Sequence, residues 1–264
     1  MGMNNFNYLQ IEISGAAAWI TLNRPEIHNA FDETLIAEIT TAVLELSTKG
    51  DIRAIVFKGA GKSFCAGADL EYMGRMAQYS RQQNLEDASK LQKMFQTITD
   101  SPKVTIARVH GAALGGGAGL VAACDIAVSS HDATFGFTEV RLGLAPAVIA
   151  PFVVRKLGPS VAKSLFITGE RISADFALRI GLIHQVESFN QDAAIHKRIK
   201  DISETGPHAV AAVKLLVNAI TTQTDDEIQK ATVSCIADLR VSEEGQEGIS
   251  AFLNKRKPNW VPNE

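Results

Sequence analysis

Three short, mostly apolar runs, residues 52–57, 104–109 and 125–129, constrain the fold of this chain more than any other feature. They are the length of strands, and their near-continuous apolar character fits strands buried on both faces. Helical stretches separate them, notably residues 82–98. Strands joined through helices need crossover connections, which produce a largely parallel sheet. Ahead of these runs, residues 8–13 alternate and residues 17–22 are apolar, with Ser14-Gly15 as the turn between two strands. Asn23-Arg24-Pro25 closes the second strand. Asp32 then caps a helix in which Leu35, Ile36, Ile39, Val43 and Leu46 recur at helical spacing.

Beyond about residue 150 the pattern changes. Strand-like runs almost vanish, and helical segments follow at 151–157, 160–168, 174–180, 192–203, 209–221, 226–239 and 243–255. The expectation is an α/β core followed by a helical tail. With 264 residues, 46% of them hydrophobic, the chain has enough apolar surface to fold without disulfides or metal, and disorder is excluded for its bulk. The net charge of −3 is not that of a general nucleic-acid binder. Three cysteines, Cys65, Cys124 and Cys235, are too few and too scattered for a disulfide framework, and they read as free thiols of a reducing compartment, the cytoplasm. There is no C-x-x-C or H-E-x-x-H pattern to hold a metal. No apolar run reaches the ~18 residues of a membrane span. Met1-Gly2 resembles a myristoylation start, but Phe6 stands where Ser or Thr is required.

Two glycine-rich turns follow strands. The first runs from Gly59 through Gly61-Lys62-Ser63 to Gly67-Ala68-Asp69. Its Gly-Lys-Ser triplet suggests a phosphate loop, but that motif needs a glycine where Val56 stands. The second contains Gly111 and Gly115-Gly116-Gly117-Ala118-Gly119. A dinucleotide fingerprint begun at Gly115 would end on Leu120, and the turn lies far from the first strand, so a Rossmann reading is poor. Consecutive glycines opening a helix carry an entropic cost. They serve either tight packing or the approach of bare backbone to a ligand, whose developing negative charge free N–H groups can stabilise.

A series of motifs along nearly the whole chain resembles the enoyl-CoA hydratase/isomerase (crotonase) family. It includes Leu22-Asn23-Arg24-Pro25 with Asn29-Ala30, then Ser63-Phe64-Cys65-Ala66-Gly67-Ala68-Asp69-Leu70. His110-Gly111, Leu114-Gly115-Gly116-Gly117, Cys124-Asp125-Ile126 and Phe135-Gly136 with Glu139 follow in order. Gly143, Pro146, Thr168-Gly169 and Gly181-Leu182 come next, and Glu247-Gly248, Ala251-Phe252 and Lys255-Arg256 close the series. The resemblance implies an α/β spiral of repeated ββα units. Residues 1–200 would form the acyl-CoA-binding core. Residues 201–264 would form a helical trimerisation region, with Ala212, Leu215, Leu216 and Ala219 as an apolar stripe, in a homotrimer or a dimer of trimers.

The same resemblance implies chemistry on an acyl-CoA thioester, with CoA as part of the substrate and neither cofactor nor metal. The backbone N–H groups of Ala68 and Gly116 would hold the thioester oxygen. Ala66, Asp69, Leu70 and Gly115 would line the substrate beside them. Glu139 would be the acid or base; the bland alternative is a solvated loop carboxylate. The hydratases of the family carry a second glutamate where this chain has Gly119. Local similarity in residues 139–151 to hydratases of branched or carboxylated enoyl-CoAs, as in leucine breakdown, favours hydratase. The missing glutamate fits a double-bond isomerase working with Glu139 alone. A non-catalytic acyl-CoA-binding homologue is the third alternative. Arg141 would meet a substrate carboxylate or pair with a surface acid. Arg24, Lys255, Arg256 and Lys257 would grip CoA phosphates, the last three alternatively complementing a helix dipole. His110 reads as a strand-end hydrogen-bonding residue, and Cys65 and Cys124 as buried, inert thiols.

Overall fold

The computed structural model describes residues 6–261; Met1 and Gly2 fall outside them. A six-stranded sheet runs in the order β1 (Leu9–Ser14), β2 (Ala17–Leu22), β3 (Ala54–Gly59), β4 (Val104–Val109), β6 (Ile126–Ser130), β9 (Gln185–Glu187). The β1–β2 hairpin is antiparallel and every later pairing is parallel. The central strands are parallel because helices connect them. Between β2 and β3 lies α1 (Glu33–Ser47), and between β3 and β4 lie α2 (Leu70–Met76) and α3 (Arg81–Asp100). Asp32 does cap α1, accepting from the Leu35 N–H at 2.8 Å.

A second sheet of three short strands has the order β5 (Ala112–Leu114), β7 (Thr134–Gly136), β8 (Arg171–Ser173). Between β5 and β6 sits α4 (Gly116–Ala123), and after β7 comes α5 (Ala150–Thr168). The ββα repeat is visible in β1-β2-α1, β4-β5-α4 and β6-β7-α5. Near its middle, α5 breaks at Gly158, whose φ of 76° lies in the left-handed region, ahead of Pro159. The helical patterns at 151–157 and 160–168 are therefore two helices meeting end to end.

One large core fills the space between α1, α3, α4, α5 and the sheets, with Phe57, Phe64, Phe95, Phe135 and Phe137 fully buried. A smaller cluster on the other face of the main sheet joins Trp19, Val56, Ile106 and Val128 to Ile195 and Ile199 of α7 (Gln191–Ser203). The short helix α6 (Ala174–Arg179) precedes β9. The tail consists of α8 (Pro207–Thr222), α9 (Asp225–Val241) and α10 (Glu243–Leu253). Lys214 anchors α8 by an ion pair to Asp125 at 2.7 Å and a hydrogen bond to the Lys103 carbonyl at 2.8 Å. Glu244 of α10 accepts from the backbone N–H groups of His208 and Ala209 at the start of α8. Neither α8 nor α9 has a fully buried residue, and Leu215, Val217, Ile220, Val233 and Ile236 are exposed. No helix among the described residues is long and apolar enough to cross a membrane.

Candidate active site

Four short extended segments lie side by side and build the site. Phe31 pairs with the 67–69 segment: its N–H donates to the Gly67 carbonyl at 2.7 Å, and the Asp69 N–H donates to the Phe31 carbonyl at 2.9 Å. Cys65 pairs with β5 through its N–H to the Ala112 carbonyl and the Leu114 N–H to its own carbonyl, both 3.0 Å. On the far side β5 pairs with β7, and the Gly115 N–H donates to the Gly136 carbonyl at 2.8 Å. The two glycine-rich turns and the Phe135-Gly136 segment, distant in sequence, thus meet at one place.

The pairing with Phe31 uses the Gly67 carbonyl and the Asp69 N–H, leaving the Ala68 N–H outside the ladder on an exposed residue. Gly116 is the first residue of α4, where N–H groups have no intrahelical acceptor. Neither N–H has a hydrogen-bond partner among the described residues. The turns approach so closely that a Cβ on Gly115 would lie 3.8 Å from Gly67 Cα. Gly115 itself has φ +51° and ψ −120°, which an L side chain rarely adopts. Two unpaired donors from adjacent turns, one at a helix N-terminus, form a ready anion site.

Glu139 opens a 3₁₀ turn, Glu139–Leu142, three residues after β7. The β5–β7 register, Leu114 opposite Gly136, carries its carboxyl to Gly115, where a Cβ would lie 3.3 Å from Oε1. Oε2 is buried and has no hydrogen-bond partner among the described residues. Burial raises the Glu139 carboxyl above the ordinary range, against a smaller pull from its own backbone N–H. A carboxyl so held, beside the anion site, is suited to proton transfer near neutral pH. This is not the environment of a solvated loop carboxylate.

The other glycines of the turn serve packing. A Cβ on Gly117 would sit 2.1 Å from the Cys65 carbonyl oxygen. At Gly119 it would sit 2.4 Å from Ile149 Cγ2 and 3.3 Å from Phe95 Cζ, and both neighbours are buried. The space beside Gly119 is therefore filled by the Ile149 side chain. Nothing in the sequence pattern marks Ile149, because the contact joins α4 to the residue preceding α5.

The remaining candidate residues divide by position. Ala66 lies two residues before the Ala68 donor and Asp69 directly after it. The Asp69 side chain caps α2 by accepting from the Glu71 N–H at 2.8 Å, and Leu70 is exposed on its first turn. Burial opposes the Asp69 carboxylate, but the Glu71 N–H and the Arg24 guanidinium hold it below its ordinary range. Arg24 is buried, bonded to the Ala30 carbonyl, paired with Asp32 at 3.0 Å and Asp69 at 2.8 Å, and stacked over Tyr8. Its charge is balanced inside the protein, and it ties the Asn-Arg-Pro turn to the Ala68 loop. Arg141 lies two residues beyond Glu139; it is exposed, and its Nε donates to the Gly169 carbonyl at 2.7 Å, with no acid paired to it among the described residues. Lys255 and Arg256 follow α10, and Arg256 pairs with Glu247. No hydrogen bond or ion pair among the described residues ties Lys255 to Glu139. His110 Nε2 bonds the Gly61 carbonyl at 3.0 Å, and its buried Nδ1 has no hydrogen-bond partner among the described residues. Cys65 and Cys124 are fully buried, with thiols pushed up to about 12 by burial. Among the described residues no group of three or more His, Cys, Asp or Glu side chains is placed to hold a metal.

Known proteins resemble this chain in sequence and in fold. The sequence profile described as enoyl-CoA hydratase/isomerase matches residues 12–263. A crotonyl-CoA hydratase of Syntrophomonas wolfei is 34% identical over 248 residues, 92% of this chain and 94% of that protein. A short-chain-enoyl-CoA hydratase of Clostridium acetobutylicum is 32% identical over 266 residues, 97% and 98% of the two chains. The crystal structure of an enoyl-CoA hydratase from Shewanella pealeana superposes with a TM-score of 0.93 at 38% identity, covering 97% of this chain and 96% of that one. On sequence and fold together, the chain belongs to the enoyl-CoA hydratase/isomerase family and has the crotonase fold.

Proposed function

We propose that the protein is an enoyl-CoA hydratase that adds water reversibly to a 2-enoyl-CoA thioester. The observation that carries this is the Glu139 carboxyl beside Gly115, with a buried, unpartnered Oε2 next to two free backbone donors. The thioester oxygen takes hydrogen bonds from the Ala68 and Gly116 N–H groups. As the oxygen of water bonds to C3, its proton passes to Glu139, and the electrons of the double bond move to the thioester oxygen as an enolate. Glu139 then delivers that proton to C2. Each donor of such a site is worth about 3–4 kcal/mol of barrier in other enzymes, and general acid–base help contributes about 10²–10⁴-fold. CoA belongs to the substrate, and the steps call on no metal or redox group.

One observation favours a second reading. Ile149 fills the space beside Gly119, so one carboxylate serves the site. A double-bond isomerase needs no more: Glu139 takes a proton from C2 of a 3-enoyl-CoA and returns it to C4. Purified protein supplied separately with crotonyl-CoA, 3-methylglutaconyl-CoA and a 3-enoyl-CoA separates the two. Water addition to either 2-enoyl substrate is the expected result. Bond migration of the 3-enoyl substrate without hydration makes the protein an isomerase, and binding without turnover makes it a non-catalytic homologue. A preference for the carboxylated substrate that disappears in Arg141→Gln would place Arg141 at the distal carboxylate and the enzyme in branched-chain breakdown, such as that of leucine.

The wider setting follows from the surface. The exposed Leu215, Val217 and Ile220 of α8 and Val233 and Ile236 of α9 support a homotrimer or a dimer of trimers, assembled through residues 201–264. A reducing, cytoplasmic setting suits the three free cysteines.

A further inference from the structure

Lys156 is a buried cation that the proposed steps do not use. It lies on α5, and its Nζ donates to the Cys124 carbonyl at 2.6 Å and the Val121 carbonyl at 3.4 Å. These carbonyls belong to the last turn and the cap of α4, the helix whose first N–H, on Gly116, faces the anion site. Gly117 to Ala123 are all buried, so the dipole of α4 is little screened by water. The helix is eight residues long, which places its ends roughly 12 Å apart.

No carboxylate among the described residues forms an ion pair with Lys156. Asp125 is neutralised by Lys214 and accepts from the Thr105 N–H and hydroxyl. Burial pushes the Cys124 thiol up to about 12, which keeps it uncharged at neutral pH. Burial, with Lys156 and Arg198 nearby, pushes His184 toward its neutral form, and its Nδ1 accepts from the Ala127 N–H. With Asp125 paired to Lys214, Lys156 leaves the surroundings of the C-terminal end of α4 net positive, and Arg198 beside His184 adds to that charge.

We propose that Lys156 is a positioning residue for the reaction: it fixes the C-terminal end of α4 and, by its charge, strengthens the Gly116 donor toward the enolate. The inference rests on the proposed use of Gly116 as an oxyanion donor. A unit charge acting over roughly 12 Å at an effective dielectric of about 20 corresponds to about a tenfold factor in enolate stabilisation. Because the charge acts on the enolate and barely on the neutral thioester, the loss falls on kcat and leaves KM nearly unchanged. Burial lowers the Lys156 ammonium from its ordinary range, with Cys124 and Asp125 opposing. The benefit therefore fades as pH rises through that lowered range and the ammonium loses its proton.

Lys156→Met removes both charge and hydrogen bonds, whereas Lys156→Gln keeps an N–H donor for the carbonyls without the charge. Acetoacetyl-CoA serves as the probe, because its enolate absorbs in the near ultraviolet and the keto form does not. The expected result is enolate formation on the wild type, with an apparent ionisation shifted about one pH unit upward in both variants and kcat about tenfold lower. The kcat ratio of wild type to Lys156→Gln should narrow as the pH is raised. If Lys156→Met does not fold, Lys156→Gln carries the test. Lys156→Gln with wild-type kcat and wild-type enolate ionisation overturns the role of the charge. A wild type that binds acetoacetyl-CoA without enolising it overturns the oxyanion site itself, which is a different failure.

Discussion

A methyl group added at Gly119 would sit 2.4 Å from Ile149 Cγ2, 3.0 Å from Ile149 Cβ and 3.3 Å from Phe95 Cζ. Carbon atoms in good contact stay about 3.5–4.0 Å apart. The branched Ile149 side chain, 3% exposed, has no room to withdraw. Overpacking of this kind costs about 1–3 kcal/mol, and the better helix propensity of alanine over glycine returns at most about 1 kcal/mol of it. Ile149→Ala alone opens a cavity and costs about 2–5 kcal/mol. In the double variant the new methyl moves into that cavity, so strain and void cancel in part. Denaturant midpoints for Gly119→Ala, Ile149→Ala and the pair should therefore show the double variant more stable than the sum of the singles by about 1–3 kcal/mol. Singles that add to within about 0.5 kcal/mol would refute the contact. The same geometry predicts that Gly119→Glu alone fails to give a stable enzyme, whereas Gly119→Glu with Ile149→Ala admits a second carboxylate.

Two further outcomes follow from buried charge. Glu139 has a folded-state affinity for protons above that of the unfolded chain. Its ionisation therefore subtracts stability as pH rises through its raised range, and below the ordinary carboxylate range the penalty vanishes. Glu139→Gln should melt higher than wild type at neutral pH, with the gap closing in acid; melting curves at both pH values check this. Arg24→Met leaves Asp32 and Asp69 facing each other without their shared cation, a loss of about 3–5 kcal/mol. It should lower the denaturant midpoint while KM of the folded fraction for the CoA thioester stays close to wild type. A raised KM at unchanged stability would return Arg24 to the CoA phosphates.

The legible parts of the sequence were those where one physical signal dominates. Residues 52–57, 104–109 and 125–129 correspond to β3, β4 and β6 within two residues, because strands buried on both faces carry a continuous apolar signature. The Asp32 cap and the break at Gly158-Pro159 were legible for similarly local reasons. The three-residue strands β5, β7, β8 and β9 carry no such signature. Their pairing is fixed by tertiary context, yet two of them bring Glu139 to the Gly115 turn. The resemblance placed Glu139, Ala68 and Gly116; spacing alone left ligand approach and tight packing both open at the glycines. Packing is visible at all three: Gly116 makes room for Phe31, Gly117 for Cys65 and Gly119 for Ile149, and Gly116 also leaves its N–H without a partner among the described residues. Ile149 and Lys156 were not legible, since each matters through a contact between α4 and the chain around α5.

The most direct test of the central claim is the rate of crotonyl-CoA hydration by wild type and by Glu139→Gln, measured on samples shown to be folded. Removal of the Glu139 carboxylate should lower kcat by about 10²–10⁴-fold, the range of general acid–base catalysis, with the thioester still bound. A Glu139→Gln enzyme that hydrates crotonyl-CoA within tenfold of the wild-type rate would contradict the assignment of Glu139 as the group that moves the proton.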